Sequence, residues 1–329
     1  MRHFSCLGAL RVGVGVLSIA GAVLARSAAK AEIIYVVGST SPNLNAGTGH
    51  LYSFDTATPG TVTDVVVNGP GFSGQYITDI DFKPGTNTLY GLGYTGSVYT
   101  LDTGTGLATS VATALSSGGP NYNLTGIDFN PITGNLRVVD PFEGNRQLNV
   151  LTNIRTNDVN PAYAAGDPNV GRSPWLQDIA YNAAGSAFVL DFTGATHNGP
   201  TLDTLSPETG GANSLHTLGS LGASGFSGGF DISGNSSIAY VILNSAAFSG
   251  NTKTLYSINL ATGAATSLGT VGIGADVDVY GLSVAPTANT GGGSGVPLPA
   301  GAWGGLLAMA ALVKCRRTLA RIPSTDCPT

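Results

Sequence analysis

The sequence predicts an all-β fold: a β-propeller of five four-stranded blades, closed by pairing of its N- and C-terminal strands. Three observations lead there. Glycine is abundant (48 of 329 residues), charge is sparse at 10%, and no long stretch carries the apolar period of a helix. Residues 77–113 hold four short runs, at Ile77–Phe82, 88–93, 97–102 and 108–113, separated by turns rich in Gly, Pro, Asn and Thr, as in consecutive hairpins. The first two runs recur at residues 124–140, 176–191 and 227–243, which puts Asp81, Asp128, Ala180, Asp231 and Ser283 in equivalent places at steps of 47, 52, 51 and 52. A period near fifty with four strands per unit is that of propeller blades.

The chain opens with Arg2 and Arg11, an apolar stretch at 12–25, and Ala29-Lys30-Ala31 ahead of Glu32. That is the three-part form of a secretory signal peptide over residues 1–31. The propeller then runs over 32–286. EIIYVVG at 32–38 matches the second strand of a blade and VYGLSV at 279–284 matches the first, so the two ends complete one blade. Closure of this kind pairs the two terminal strands with each other and leaves neither as a free edge at the seam. Cys6, Cys315 and Cys327 all lie outside the body, which therefore has no disulfide framework and no cysteine metal site.

Between Glu32 and Gly295 eighteen acidic residues face six basic ones, a net charge of −12. Nucleic-acid binding needs a basic stripe, and this body lacks one.

A meander sorts its connections onto two faces. Turns from first to second strand (83–87, 130–135, 182–185, 233–236) and from third to fourth (103–106, 206–211, 261–264) are short and read as structural. The opposite face takes the longer loops at 39–50, 140–146, 193–200 and 245–253, together with the blade-to-blade links, the longest of which spans 156–174. Long loops on a rigid scaffold are where binding usually resides. On that face Asp140, Glu143, Arg146 and Trp175 are the predicted contacts, an aromatic and charged set suited to a sugar or peptide.

Two motif matches fail on context. Gly91-Leu-Gly93-Tyr-Thr-Gly96 fits G-x-G-x-x-G but lies in a hairpin and opens no helix. Gly225-Phe-Ser227-Gly-Gly229 fits the nucleophile pattern, yet a strand follows it and a similar GFSG occurs at 71–74, which marks a blade connector. His50, His197 and His216 show no ligand spacing and read as loop or surface residues.

Asp81, Asp128 and Asp231 recur at one position of the innermost strand. Three carboxylates converging near the axis can hold a hard cation such as calcium, or act as acid and base in glycoside hydrolysis. They can equally accept hydrogen bonds from backbone N–H groups, repeated because the blade is repeated. Ala180 and Ser283 leave the ring of carboxylates incomplete. The pairs Asp79/Asp81 and Asp276/Asp278 are further oxygen-ligand candidates.

After the propeller comes a flexible linker, TANTGGGSG at 287–295. Residues 296–317 then form a membrane segment with a basic cluster, and 318–329 a cytoplasmic tail. The apolar run 300–313 makes about 21 Å of helix against about 30 Å of hydrocarbon, so it only just spans with 296–299 added. Lys314, Arg316 and Arg317 would stay cytoplasmic, leaving the acidic body outside.

Val296-Pro-Leu-Pro-Ala300, the apolar run and the basic cluster resemble the VPLPA-type C-terminal sorting signal of Gram-negative bacteria, related to the PEP-CTERM class. The resemblance implies an exosortase-like membrane transpeptidase as processing partner; the tail at 318–329 departs from the pattern, which ends in the basic residues. The body from 33 to 285 resembles domain-of-unknown-function family 4394 through LYSFDTATPGTV at 51–62, the IDF-P pattern at 80–84 and 127–131, and NLRVVDPFEGNRQLNVLTN at 135–153. That resemblance implies a β-propeller in a secreted bacterial protein and brings no catalytic residues. The expectation is an exported, surface-anchored propeller with a non-catalytic role in binding or in the extracellular matrix, its ligand a polysaccharide or surface protein. The alternative is a carbohydrate-active hydrolase using the channel carboxylates. No cofactor is expected, calcium at the triad being the one candidate.

Overall fold

The computed structural model describes residues 31–40, 49–70, 72, 76–112, 125–142, 144–193, 199–206, 213–245 and 251–287. Residues 1–30 of the predicted signal peptide (1–31), the linker from 288, the sorting segment, the tail and Glu143 lie outside the described residues.

Among the described residues every regular element is a strand. In chain order these are β1 (Ile33–Ser39), β2 (Gly49–Asp55) and β3 (Val62–Val66); then β4 (Ile77–Phe82), β5 (Leu89–Gly93), β6 (Val98–Leu101) and β7 (Ala108–Ala112). Next come β8 (Gly126–Phe129), β9 (Leu136–Val139), β10 (Asn145–Asn149), β11 (Ile154–Asn157) and β12 (Ala162–Tyr163). The rest are β13 (Leu176–Tyr181), β14 (Ala187–Asp191), β15 (Thr201–Ser206), β16 (Ser214–Ser220), β17 (Phe226–Ile232), β18 (Ala239–Asn244), β19 (Lys253–Ile258), β20 (Ala265–Thr270) and β21 (Asp278–Val284).

They form five antiparallel blades, with β4, β8, β13, β17 and β21 innermost; blade 2 is β4–β7, blade 3 β8–β11, blade 4 β13–β16 and blade 5 β17–β20. Blade 1 is ordered β21-β1-β2-β3, so the last strand supplies its inner edge, as the matching ends of the sequence predicted. Ile34 pairs with Val284 on one side of β1 and with Phe54 on the other. Blade 4 departs from the expected four strands. Within the long link, β12 pairs in parallel with β16, covering the edge of that blade.

Apolar side chains on both faces of each blade build five buried clusters, one at each junction. Tyr90 and Leu92 of blade 2 pack on Ile127 and Phe129 of blade 3, with the Tyr90 and Phe129 rings edge to face at 5.0 Å. The junction of blades 3 and 4 receives only Val139 from blade 3. The buried Arg137 supplements it, donating to Asn145 Oδ1 (2.9 Å), the Tyr181 hydroxyl (3.2 Å) and Asn213 Oδ1 (2.8 Å). Glu32, just ahead of β1, accepts from Ser236 Oγ (2.8 Å) and the Tyr240 hydroxyl (2.9 Å), which pins the closing strand to blade 5.

The inner strands approach so closely that some positions exclude any side chain. A Cβ on Gly126 would lie 2.4 Å from Asp178 Cα, and one on Gly281 would lie 2.3 Å from Asp79 Oδ1. The Gly126 clash is with backbone, which cannot swing aside. Gly126→Ala is therefore expected to cost about 3 kcal/mol, read as a lower denaturant midpoint at unchanged slope.

Candidate functional site

The five inner strands align residue for residue, and two of their positions carry aspartates that face the next blade. In the deeper layer stand Asp81, Asp128, Ala180, Asp231 and Ser283; in the layer above stand Asp79, Gly126, Asp178, Gly229 and Gly281. The two layers follow from strand alternation, which sends residues two apart to the same side.

The deeper layer is a ring of interblade hydrogen bonds. Asp81 Oδ2 accepts from Phe129 N (2.8 Å), Asp128 Oδ2 from Tyr181 N (2.9 Å) and Asp231 Oδ2 from Val284 N (2.7 Å). Ser283 takes the same part with its hydroxyl, accepting from Phe82 N at 3.2 Å and donating to Asp81 Oδ1 at 3.0 Å. Only Ala180 has nothing to offer, and Ile232 N turns instead to Asp231 Oδ1 at 2.5 Å. The layer above closes that junction: Asp178 accepts from Ser227 Oγ (3.2 Å) and from the Phe230 N–H. Asp79 adds a second tie from blade 2 to blade 3, accepting from Ile127 N at 2.6 Å. Every blade junction is thus bridged by a side chain of the inner strands.

Carboxylate oxygens of Asp81, Asp128 and Asp231 lie within 4.8 Å of one another, and all three residues are buried. Burial, followed by the neighbouring Asp231 charge, pushes the Asp81 carboxyl up to about 8. Burial raises Asp231 to about 6 and lifts Asp128 well above the usual carboxylate range, the latter helped by the charges of Asp81 and Asp231. Asp79 and Asp178 are raised for the same first reason. At neutral pH the cluster therefore holds protons. A cation could take their place: oxygens within 4.8 Å of one another are close enough to share an ion at the roughly 2.3–2.6 Å that calcium prefers, with further ligands needed from water.

On the side of the triad away from the Asp79 and Asp178 layer, a cavity of about 310 Å³ opens on the short-turn face. Phe82, Phe129, Tyr181 and Ile232 wall it, the turns at 83–86, 182–183 and 234–235 form the rim, and Asp81, Asp128 and Asp231 are its floor. Lys83 Nζ stands 5.7 Å from the centre of the Phe129 ring. The turns read from sequence as structural thus also shape this depression. They are built on side chains that accept from their own backbone, as Asn130 Oδ1 does from Ile132 N (2.7 Å) and Asn182 Oδ1 from Ser186 N (2.9 Å).

Of the predicted loop-face contacts, Asp140 and Arg146 come together as an ion pair at 2.8 Å. Asp140 also accepts from Phe142 N and Gly144 N, both at 2.9 Å, so its carboxylate is engaged in its own loop. Trp175 stands on the next blade, half exposed at 51%, with its backbone N donating to Thr193 Oγ1 at 2.6 Å. The G-x-S-x-G serine is a structural donor, Ser227 Oγ being the tie to Asp178. His50 Nδ1 lies 2.7 Å from Asp64 Oδ1, its ring stacked on Tyr52. Sequence reading missed Asp178 and Gly126, which packs against it. The signal was there in the Asp, Gly, Asp, Gly, Gly series one register above the triad.

The family described as domain of unknown function DUF4394 matches residues 50–283. The chain belongs to this family. No curated protein matches it. Among solved structures, a protein of unknown function from Bacteroides thetaiotaomicron is similar at 16% identity and a TM-score of 0.45, over 76% of this chain and 61% of that one. Hydrazine synthase of Kuenenia stuttgartiensis aligns at 16% identity and a TM-score of 0.37, over 59% of this chain and 49% of that one. The β-propeller domain of Myceliophteria thermophila Cps50 aligns at 13% identity and a TM-score of 0.39, over 70% and 85%. The chain spans less than two thirds of the length of the first two. Membership of DUF4394 therefore attaches this chain to a domain whose activity is undefined. Among the described residues no helix is long and apolar enough to cross a membrane, and the predicted membrane segment lies outside them.

Proposed function

We propose that this DUF4394 protein is an exported, surface-anchored propeller that binds a polysaccharide or surface protein and catalyses nothing. One observation carries the reading: Asp81, Asp128 and Asp231 each accept a backbone N–H from the next blade. A carboxylate that holds the ring together cannot trade protons with a substrate without loosening the fold, and repeat-encoded residues normally serve the repeat. Binding then falls to the loops, where Trp175 is exposed. Export rests on the three-part N-terminus, and anchoring on the VPLPA-type segment with an exosortase-like enzyme as processing partner. The net charge of −12 over the body speaks against nucleic acid.

The second reading is a carbohydrate-active hydrolase. It is favoured by the place of the triad, at the floor of a cavity and with carboxyls that stay protonated near neutrality.

One experiment separates them: the purified chain is offered a panel of bacterial and plant polysaccharides, with and without calcium, and the polymer length is followed. Saturable binding with intact polymer is expected. Shortened polymer would put the hydrolase first, and the absence of binding would leave a protein partner or a spacer role. A calcium requirement that disappears when Asp81, Asp128 and Asp231 are changed to Asn would assign the ion to the triad.

A further inference from the structure

We infer that a calcium ion is held beneath the strap formed by residues 158–174, between Asp191 and Asp203 of blade 4, with the hydroxyls of Tyr163 and Thr217 as further ligands. The site is separate from the triad on the inner strands and independent of what the propeller binds.

Strand alternation assembles it. Asp191 ends β14, and Asp203 of β15 pairs in register with Val189 on one side and Thr217 of β16 on the other. Val189, Leu205 and Leu215 belong to the cluster between blades 3 and 4, so Asp191, Asp203 and Thr217, each two residues from one of them, turn to the same face. The strap lies across that face. Its β12 pairs with β16, its Tyr163 hydroxyl donates to Asp191 Oδ2, and its Asp167 accepts from Thr217 N at 2.7 Å and Thr217 Oγ1 at 3.1 Å. The same Thr217 hydroxyl stands 3.5 Å from Asp203 Oδ2. Three strands and the strap thus bring their oxygens to one place.

What this place lacks is a positive charge. Asp191 is 1% exposed and Asp203 0%, and Asp203 Oδ1 has no hydrogen-bond partner. The single Thr217 hydroxyl proton lies closer to Asp167 than to Asp203. Among the described residues no Lys or Arg forms an ion pair with either carboxyl. Burial and the adjacent Asp191 charge push the Asp203 carboxyl up to about 8, and the two groups share a hydrogen bond. Adjacent buried carboxyls need a proton or a cation between them. Blade 5 supplies such a cation from its own chain: Lys253, 0% exposed, donates from Nζ to Asn251 O at 3.1 Å and Gly274 O at 2.6 Å. Blade 4 has no counterpart.

The donors select the ion. Carboxylate and hydroxyl oxygens suit a hard cation, and two carboxylates balance a divalent charge. Calcium takes an irregular set of roughly six to eight oxygens, water completing it, where magnesium demands a near-regular octahedron. The docked strap covers the ion, so no open mouth is required, and the ion in turn fastens the strap.

The test uses the full-length chain, stripped of metal with a chelator and then given calcium, magnesium or sodium chloride at equal ionic strength. Calcium alone is expected to raise the melting temperature by about 5 °C or more and to slow tryptic cleavage after Arg172, an exposed residue of the strap. Asp203→Asn, whose amide takes the place of the protonated carboxyl, should fold and lose the protection at Arg172. Tyr163→Phe keeps the buried ring and should weaken calcium binding about tenfold by calorimetry; it decides the question if Asp203→Asn does not fold. The triple change Asp81→Asn, Asp128→Asn, Asp231→Asn should leave the calcium protection of Arg172 intact. Protection lost in that variant would place the ion at the triad and overturn the site. So would a wild-type chain indifferent to calcium, an equal response to magnesium, or wild-type calcium affinity in Tyr163→Phe.

Discussion

Removing residues 32–39 is expected to abolish cooperative unfolding. That segment holds β1, whose Ile34, Val36 and Val37 are buried and whose backbone pairs with β2 on one side and β21 on the other. Three such side chains contribute about 1.5–3 kcal/mol each, or roughly 5–9 kcal/mol together. A domain has only about 5–15 kcal/mol in all. The deletion also strips the ties of Glu32 to Ser236 and Tyr240, and leaves β21 without a partner in blade 1. A thermal melt of the shortened chain should be broad and low. A sharp transition at the wild-type temperature would mean that the ring does not depend on closure.

The second large effect concerns pH. Asp81 and Asp231 titrate in the fold at about 8 and 6, raised first by burial, against an ordinary value of 3.8. The folded state therefore binds protons that the unfolded chain has released, and stability falls as pH rises through that window. A tenfold difference in proton affinity between the folded and unfolded chain is worth about 1.4 kcal/mol, so even with coupling among the three carboxyls the loss between pH 4 and pH 8 is on the order of 5 kcal/mol. Denaturant midpoints at the two ends of that range measure it. The triple change Asp81→Asn, Asp128→Asn, Asp231→Asn should flatten the slope, because an amide oxygen can still accept the interblade N–H and carries no charge. A midpoint that climbs with pH would contradict the raised carboxyls. Added calcium that flattens the wild-type slope would point to an ion in place of the protons.

Much of this fold could be read beforehand, because its periodicities are local. Alternation within Ile77–Phe82 assigns faces, and the step near fifty counts blades without reference to any partner. The shared blade was visible because both ends keep the strand pattern. The candidate site was harder to read. The triad's position was legible, but its partners are backbone groups about fifty residues away, and a backbone amide leaves no mark in a sequence. The cavity also escaped notice, since short turns make a depression only when several are brought to one mouth. Asp203 reads as an ordinary polar strand residue until its burial is known. The added strand β12 is two residues long and pairs across some fifty positions, below any periodic signal.

Blade 4 has no carboxylate at Ala180, and Asp178, two residues earlier, holds the same neighbour through Ser227 and Phe230. Blade 1 makes the same tie with the Ser283 hydroxyl. What the five units share is thus the bridged seam between blades, not any one letter of the repeat. A propeller of this kind can therefore wander far in sequence while its copies stay interlocked, and an ancestral blade reconstructed by averaging the five would misjudge the residues that hold it shut.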